Sequence, residues 1–139
     1  MKFIFWVAGK PKGKGRPRFG RGRTYTPKAT VDYERLIQDC LKKEVPDIIP
    51  LEGPLSISVT AVFPIPKSWP SGKKELARSG VVWHTARPDS DNILKVVCDA
   101  LNEIAWHDDS QICLAKISKK YGLWPGLVVV VETISECVQ

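Results

Sequence analysis

The chain has 139 residues, 43% of them apolar, with a formal net charge of +6 and a pI near 9.2. This size and apolar content predict one domain around a single core. The longest apolar runs, at residues 3–8 and 127–131, are too short to span a bilayer. The four cysteines are widely separated and form no C-x-x-C pair: Cys40, Cys98, Cys113 and Cys137. The sequence thus argues against a membrane protein, a disulfide scaffold and a cysteine zinc site. It predicts reduced thiols and a cytoplasmic protein.

The first quarter of the chain predicts a strand, a basic loop and a helix. Residues 2–8, which are apolar after Lys2, predict a strand that is buried on both faces. Residues 9–24 combine glycines, prolines and cations, and this predicts a mobile basic loop, because such a composition excludes a helix and disfavours burial. Helical spacing of apolar residues then predicts a helix over 28–45.

The rest of the chain predicts three further strands, a possible fourth and a second main helix. Alternation predicts a strand over 55–63, and one or two helical turns and a short strand follow at 73–84. An apolar stripe at helical spacing predicts a helix over 90–105. Two final strands are expected at 112–121 and 127–134, around a Trp-Pro-Gly turn. This order predicts a single α+β domain over 1–139, with two main helices packed on one mixed sheet.

Charge is distributed unevenly along the chain. Residues 1–31 contain nine Lys or Arg and no acid, whereas the other 108 residues contain twelve Lys or Arg and fifteen acids. A basic segment of this kind is typical of a protein that binds nucleic acid, although a solvated flexible loop explains it too. The candidate DNA-binding residues are Lys10, Lys12, Lys14, Arg16, Arg18, Phe19, Arg21 and Arg23. The cations are expected to bind phosphates without reading bases, and the phenylalanine to act as an apolar wedge.

A second segment, between positions 89 and 109, is rich in acidic residues and poor in cations. Six acids face one cation there, giving a formal charge of −5: Asp89, Asp91, Asp99, Glu103, Asp108 and Asp109 against Lys95. Crowded carboxylates repel one another unless a cation neutralises them. Because Mg²⁺ prefers oxygen ligands, this segment is a candidate metal site.

Simpler explanations exist for the same residues. Aspartates ahead of a helix often act as N-caps. Lys95 stands one turn after Asp91 and predicts an ion pair, with Asp99 as a further structural partner of Lys95. His107 is expected to be a surface residue, and four tryptophans are expected in the core or against the sheet: Trp69, Trp83, Trp106 and Trp124.

The predicted helix also separates the two acidic pairs. Its length puts Asp108 and Asp109 about 20 Å along the chain from Asp91, at 1.5 Å per residue. Either the chain folds back after Ala105, or a partner subunit supplies the second pair.

The pattern R-P-D-S-D-N-I-L-K-V-V-C-D-A-L-N, followed by W-H-D-D-S-Q-I, resembles the RusA family of Holliday-junction resolvases. The segment T-Y-T-P-K-A-T-V-D-Y-E resembles the first helix of that family, so the likeness covers most of the chain. It departs from the family in a longer, more charged basic loop and in a slightly shorter spacing before the second acidic pair.

This resemblance implies an Mg²⁺-dependent homodimer, with Mn²⁺ as a substitute, that makes paired nicks in four-way DNA junctions. By position, the essential acids fall on Asp89, Asp91 and Asp109, and the catalytic lysine falls on Lys95. Asp108 and Asp99 match secondary positions, and we count Asp108 among the candidate metal ligands. No small-molecule cofactor is implied.

Two other functions compete with this one. A non-catalytic module that binds branched DNA would need its aspartates only as caps and solvated charges. A nucleotide-sugar transferase also uses a D-x-D motif for a metal, but the chain is short for that fold and shows no donor-nucleotide signature.

Overall fold

Six strands and three α-helices follow one another in residues 1–136, the part of the chain that the structure, a computed structural model, describes. The strands are β1 (Lys2–Ala8), β2 (Arg18–Gly20), β3 (Arg23–Tyr25), β4 (Leu55–Pro64), β5 (Ile112–Gly122) and β6 (Gly126–Thr133). The helices are α1 (Lys28–Glu44), α2 (Ser71–Arg78) and α3 (Ser90–Leu101). None of these helices combines the length and the apolar character that crossing a membrane requires.

Four of the strands form one mixed sheet in the order β1-β6-β4-β5. Only the β4–β5 pair is parallel, while β1–β6 and β6–β4 are antiparallel. The last two strands of the chain are therefore not neighbours, because β4 lies between them and the turn at 123–125 crosses its end. The α+β class and the mixed sheet with two main helices are confirmed.

The core lies between one face of the sheet and the helices. Strand β4 alternates strictly, with every second side chain buried from Leu55 to Phe63. Helix α3 buries the predicted apolar stripe, and α1 buries one side of its cylinder. The helical core residues are Tyr33, Ile37, Leu41, Ile93, Val96, Val97, Ala100 and Leu101. Apolar contacts hold both helices in one orientation on the sheet. The polar side chains on the opposite face of each helix therefore also have a defined orientation.

Strand β1 is buried on one face only, so the prediction of burial on both faces was wrong. Phe3, Phe5 and Val7 are buried, whereas Ile4 and Trp6 remain 49% and 41% exposed. Strand β1 lies at the edge of the sheet, and no helix among residues 1–136 covers Ile4 and Trp6. A continuous run of apolar residues in this strand is therefore compatible with one buried face and one exposed face.

Helix α3 ends four residues earlier than predicted. Asn102 has extended backbone and Glu103 has a positive φ of 67°, so the helical path stops after Leu101. The N–H groups of Ile104 and Ala105 both donate to the Leu101 carbonyl and form a tight turn. The chain thereby reverses at residues 102–105, a few residues earlier than the fold-back after Ala105 that the sequence analysis considered.

No strand forms at 81–84, contrary to the prediction. The N–H groups of Val81 and Val82 donate to the Leu76 carbonyl at 2.9 and 3.2 Å. These donors therefore complete the end of α2 and are not available for a ladder. The segment is an irregular connection that leads into α3.

The basic segment has more structure than its composition predicts. Strands β2 and β3 form a hairpin, with Arg21 and Gly22 at its turn, both at positive φ. That conformation matches the tight two-residue turns that join antiparallel strands. The mobility of residues 9–24 stays a prediction, but part of this segment packs against both main helices, as described below.

Substitutions at two adjacent residues of α1, Leu36 and Ile37, test which side of this helix is buried in the core. Ile37 is fully buried and Leu36 is 42% exposed. We expect Ile37→Ala to lower the free energy of unfolding by about 2–5 kcal/mol, because it removes buried methyl groups and leaves a cavity. Leu36→Ala serves as the control and should cost less than about 0.5 kcal/mol. Urea denaturation of both variants measures the difference, and equal losses would contradict the burial of α1 on this side.

Candidate active site

The first acidic pair lies at the beginning of α3. Asp89 occupies the N-cap position and Asp91 lies in the first helical turn, and both side chains are exposed. The Asp89 carboxylate makes no capping hydrogen bond. A capping aspartate is expected to accept a bond from the backbone of the first turn, so the cap explanation does not account for this side chain. Both carboxylates therefore lie at the positive end of the helix dipole.

A groove of about 660 Å³ joins the basic segment to this end of α3. One wall is formed by the segment that follows β1, and the other by the residues that lead into the helix. Its lining residues are Lys10, Pro11, Lys12, Gly13, Lys14, Arg16, Arg87, Pro88, Asp89 and Asn92. A predicted metal ligand and four of the predicted DNA-binding residues therefore line the same groove. The other acids and the hairpin residues are not part of this lining.

Lys14 fixes the basic wall in place. Its ammonium group contacts the Glu34 carboxylate on α1 and the Asp99 carboxylate on α3, the latter at 3.1 Å. The Lys14 N–H donates to the Asn92 carbonyl at 3.0 Å, and the next N–H, of Gly15, donates to Thr30 Oγ1 at 3.0 Å. We call this arrangement the lysine clamp: Lys14 with Glu34 and Asp99.

Burial and neighbouring charges have opposite effects on the pKa of Lys14. Desolvation by itself would lower the pKa of Lys14, but the bonds and charges of Glu34 and Asp99 outweigh it and leave the pKa raised. The Lys14 side chain is only 18% exposed. Its charge is thus neutralised within the protein, unlike those of the exposed Lys12 and Arg16.

The clamp also corrects an expected pairing. Asp99 was predicted to be a structural partner of Lys95, but its partner is Lys14. Lys95 is exposed and makes no ion pair with Asp91 or any other acid within residues 1–136. Its ammonium group is therefore available for a ligand, as a catalytic lysine requires.

The chain folds back after α3 and brings Asp109 to the side of the helix. Trp106 is fully buried, and its Nε1–H donates to Asp109 Oδ1 at 2.7 Å. Burial raises the pKa of Asp109, the tryptophan bond opposes this, and the charges of Asp99 and Asp108 add to the increase. Burial, followed by the charges of Asp109 and Asp99, likewise raises the pKa of Cys98 to about 12. Asp109 is thus placed near the second half of α3.

Asp108 has a structural role in this turn. Its carboxylate accepts from the Ser110 N–H at 3.0 Å and caps the short 3-10 turn Asp109–Gln111. Hydrogen bonds from Ser110 lower the pKa of this exposed carboxyl. A capping explanation therefore fits Asp108, although it does not fit Asp89.

Gln111, which sequence reasoning did not single out, holds the turn to the rest of the protein. Its Oε1 accepts from the N–H groups of His107 and Asp108, at 2.8 and 3.0 Å. Its Nε2 donates to the carbonyls of Leu51 and Gly53, at 2.9 and 3.0 Å. The glutamine in the D-D-S-Q run was the available signal, because one polar side chain beside a pair of acids suggests a supporting role.

The acidic residues do not converge on one point in this structure. Asp91 and Asp99 are eight residues apart on α3, a rise of about 12 Å. Within residues 1–136, no group of three acids, histidines or cysteines is close enough to hold a metal ion. The donors fit a hard cation in chemistry because they are carboxylates, and Asp89, Asp91 and Asp109 have no protein cation paired with them within residues 1–136, whereas Asp99 is paired with Lys14. In position, Asp89 and Asp91 form one group, and Asp109 with Asp99 forms another.

The remaining cationic candidates lie on the β2–β3 hairpin. Arg18, Arg21 and Arg23 are exposed there, and Phe19 is 77% exposed. No ion pair within residues 1–136 involves these arginines. The hairpin thus presents cations and one aromatic ring to solvent.

Two of the four tryptophans expected in the core are exposed. Trp106 is fully buried and Trp69 is partly buried against Tyr121, but Trp83 and Trp124 are 56% and 80% exposed. Both lie in connections between elements, where no second layer covers them.

The two histidines also have defined surroundings. His107 pairs with Glu52 at the surface, at 3.2 Å, and this agrees with the expected surface role. His84 stacks on Phe63.

The comparisons with known proteins agree with the motifs. The family model of endodeoxyribonuclease RusA matches residues 8–132. The chain belongs to the RusA family. It is also similar to the uncharacterized protein YqaN of Bacillus subtilis (strain 168), with 34% identity over 137 residues that cover 94% of this chain and 96% of that protein. The groove, the lysine clamp and both acidic groups lie within the range that the RusA model matches, so family membership implies an endodeoxyribonuclease.

The lysine clamp of this RusA-family protein predicts an effect on stability. Lys14→Met leaves Glu34 and Asp99 without their cation, and we expect a loss of about 1–3 kcal/mol in the free energy of unfolding. Lys10→Met is the matched control, since Lys10 lines the same groove without an ion pair among residues 1–136. In a Glu34→Gln, Asp99→Asn background, the loss caused by Lys14→Met should shrink. A loss of the same size in that background would show that the clamp does not hold the segment.

Gln111 gives a second stability prediction. Because four hydrogen bonds converge on its amide, Gln111→Ala is expected to cost about 2–4 kcal/mol. Glu52→Ala is the control, as this neighbour in the 51–53 loop pairs only with the exposed His107. Thermal denaturation compares the two, and a melting temperature for Gln111→Ala as high as that of the control would argue against this role.

Proposed function

We propose that this protein is a divalent-metal-dependent endonuclease that resolves four-way (Holliday) DNA junctions by paired symmetrical nicks, in DNA recombination and repair. One observation carries the proposal beyond family membership. A single groove combines the unpaired cations of the basic segment with Asp89, whose carboxylate is not used as a helix cap. Phosphodiester cleavage needs both parts, because the phosphates must be bound and the reacting phosphate must lose negative charge.

The residues of the groove divide these tasks. Lys10, Lys12 and Arg16 are suited to bind phosphates, which carry no sequence information. The hairpin cations Arg18, Arg21 and Arg23 extend this surface, with Phe19 as a candidate wedge at the junction centre. We place Lys14 apart from them, since its charge is neutralised in the clamp.

Lys95 and the acids are proposed to act on the reacting phosphate. Lys95 projects from α3 one turn after Asp91 and has no competing ion pair among residues 1–136. Its ammonium group is suited to stabilise negative charge that develops on the phosphate.

Asp89 and Asp91, with Asp109 as the third acid, are the proposed ligands of Mg²⁺, and Mn²⁺ is a proposed substitute. A bound divalent ion would supply an activated water and neutralise phosphate charge. Asp109 lies beside Asp99 in this structure and not with the other two. We rank Asp108 below these three, because its carboxylate caps the 3-10 turn.

A homodimer is part of the proposal. A four-way junction has two scissile strands related by two-fold symmetry, and a protein with one active site per subunit matches this symmetry as a dimer.

One observation favours the non-catalytic alternative. No three-carboxylate group that could hold a metal is present in residues 1–136, as expected if the aspartates only carry solvated charge. Such a module would bind branched DNA through the same basic surface and would not cut it.

The distinguishing experiment uses a synthetic four-way junction with Mg²⁺. We expect the wild-type protein to make paired symmetrical nicks, and EDTA to abolish them. Asp91→Asn should lose cleavage by at least about 100-fold while it retains junction binding, because the residue is exposed and the fold does not depend on it.

Asp39→Asn is the matched control for this substitution. Asp39 is an exposed acid on α1, away from the groove, and its substitution should leave cleavage unchanged. Junction binding by the wild type without cleavage in either Mg²⁺ or Mn²⁺ would instead support the binding module.

A further inference from the structure

Trp83 is an exposed aromatic residue in the connection between α2 and α3. Its side chain is 56% exposed, although it lies only six residues before Asp89. A tryptophan with this exposure leaves part of a ring face accessible to a ligand. None of the site residues discussed above explains its position.

The connection that carries Trp83 is anchored to the sheet through the residues that follow it, His84 and Ala86. His84 stacks on Phe63 of β4, with ring centroids 3.6 Å apart and an interplanar angle of 7°. The same imidazole meets Tyr121 of β5 edge-on at 5.2 Å. Further along, Lys119 Nζ donates to the Ala86 carbonyl at 2.6 Å. Trp83 is therefore an exposed ring on an anchored backbone, which favours ligand binding because little order must be gained.

The surroundings of Trp83 are cationic. Lys120 Nζ lies 5.6 Å from the centroid of its ring. The sequence from residue 112 to residue 126 contains three lysines and no acid. An aromatic ring among cations is the combination that binds unpaired nucleotides, since the bases stack and the phosphates are neutralised.

Lys10 connects this surface with the groove. It lines the groove together with Asp89. It also lies close enough to His84 that its charge acts on the imidazole, whose pKa is lowered by burial first and then by Lys119 and Lys10. Lys10 therefore contributes positive charge both to the groove and to the connection that carries Trp83.

We propose that Trp83 is a stacking site for an unpaired nucleobase of the DNA substrate, next to the groove that holds the reacting phosphate. This inference rests on the proposed function, because branched DNA supplies unpaired or unstacked bases at its branch point. The ligand class is single-stranded or locally opened DNA, recognised without regard to sequence since every base offers a π face.

Self-association through this surface is the main competing explanation. In a two-fold dimer, the same patch meets itself. Here that would bring Lys120, which lies over the Trp83 ring, close to its copy in the second subunit, and like charges in contact oppose association. The charge of the surface therefore favours a polyanion over a second copy.

The test compares a labelled oligothymidine with a blunt duplex by fluorescence anisotropy. We expect Trp83→Leu to weaken single-strand binding by at least about fivefold, the size of one stacking contact, with a smaller effect on the duplex. Trp83→Phe keeps a stacking ring and should recover most of the affinity. Lys43→Ala, an exposed lysine in the last turn of α1, should match the wild type on both ligands.

A crosslinking measurement does not depend on the variants. An oligothymidine that carries 5-iodouracil should photocrosslink to the wild-type peptide that contains Trp83. The stacking site would be overturned if Trp83→Leu lost the same affinity for the single strand and the duplex. Crosslinks found only in peptides without Trp83 would overturn it too. A fall in sedimentation mass in Trp83→Leu would overturn it in favour of a protein interface.

Wild-type cleavage of a four-way junction, measured in parallel, separates the two proposals. Cleavage together with unchanged single-strand binding by Trp83→Leu overturns the stacking site alone. A wild type that does not cleave, but whose preference for single strands depends on Trp83, supports the stacking site and overturns the nuclease.

Discussion

The lysine clamp is the interaction on which the candidate site depends. A chain segment rich in glycine, proline and cations has no core of its own and would lose much entropy on becoming ordered. Lys14 provides an attachment by inserting one cation between carboxylates of two different helices. Because both helices are fixed by their apolar faces, the clamp places the basic segment relative to α3. The groove exists only because this wall stands at a defined distance from Asp89.

The two faces of helix α3 have different roles, one in packing on the sheet and one in presenting charged side chains. The buried stripe from Ile93 to Leu101 gives the helix a single orientation on the sheet. The other face carries charges that the protein neutralises only in part. Asp99 is paired by the clamp, whereas Asp89 and Asp91 have no cationic partner among the described residues. The fold therefore leaves two carboxylates without a cation at one end of the helix, where their oxygens could serve as ligands of a hard cation.

The sequence predicted those features that depend on local pattern. The alternation in β4 and the apolar stripe of α3 follow from the periods of a strand and a helix, so both elements and the α+β class could be derived. The motif around Asp89 and Lys95 was sufficient for the family. The end of α3 was placed too late, because the turn at Asn102 depends on Trp106 being drawn into the core, which is a tertiary effect.

Other features could not be derived because several elements create them together. Nothing in the sequence distinguishes Lys14 from the neighbouring cations until α1 and α3 lie side by side. The exposure of Trp83 likewise depends on which strand lies at the sheet edge, and composition does not reveal that. The arrangement of the acids is of the same kind: their number was evident, whereas their separation into two groups required the path of the chain.

The strand order has a consequence for the synthesis of this protein. Strand β6, the last strand in sequence among residues 1–136, lies inside the sheet and pairs with both β1 and β4. The pairing of Lys2 with Glu132 spans nearly the whole chain, so the sheet has a high contact order and is expected to form slowly. On the ribosome, β1 has no strand beside it until residues 126–133 emerge. The basic segment begins directly after β1, and its Gly9 N–H bonds to the Pro125 carbonyl beside β6. A chain that lacks residues 126–133 therefore also lacks the bond that ties the start of the basic segment to the sheet, although the residues of the lysine clamp are already present.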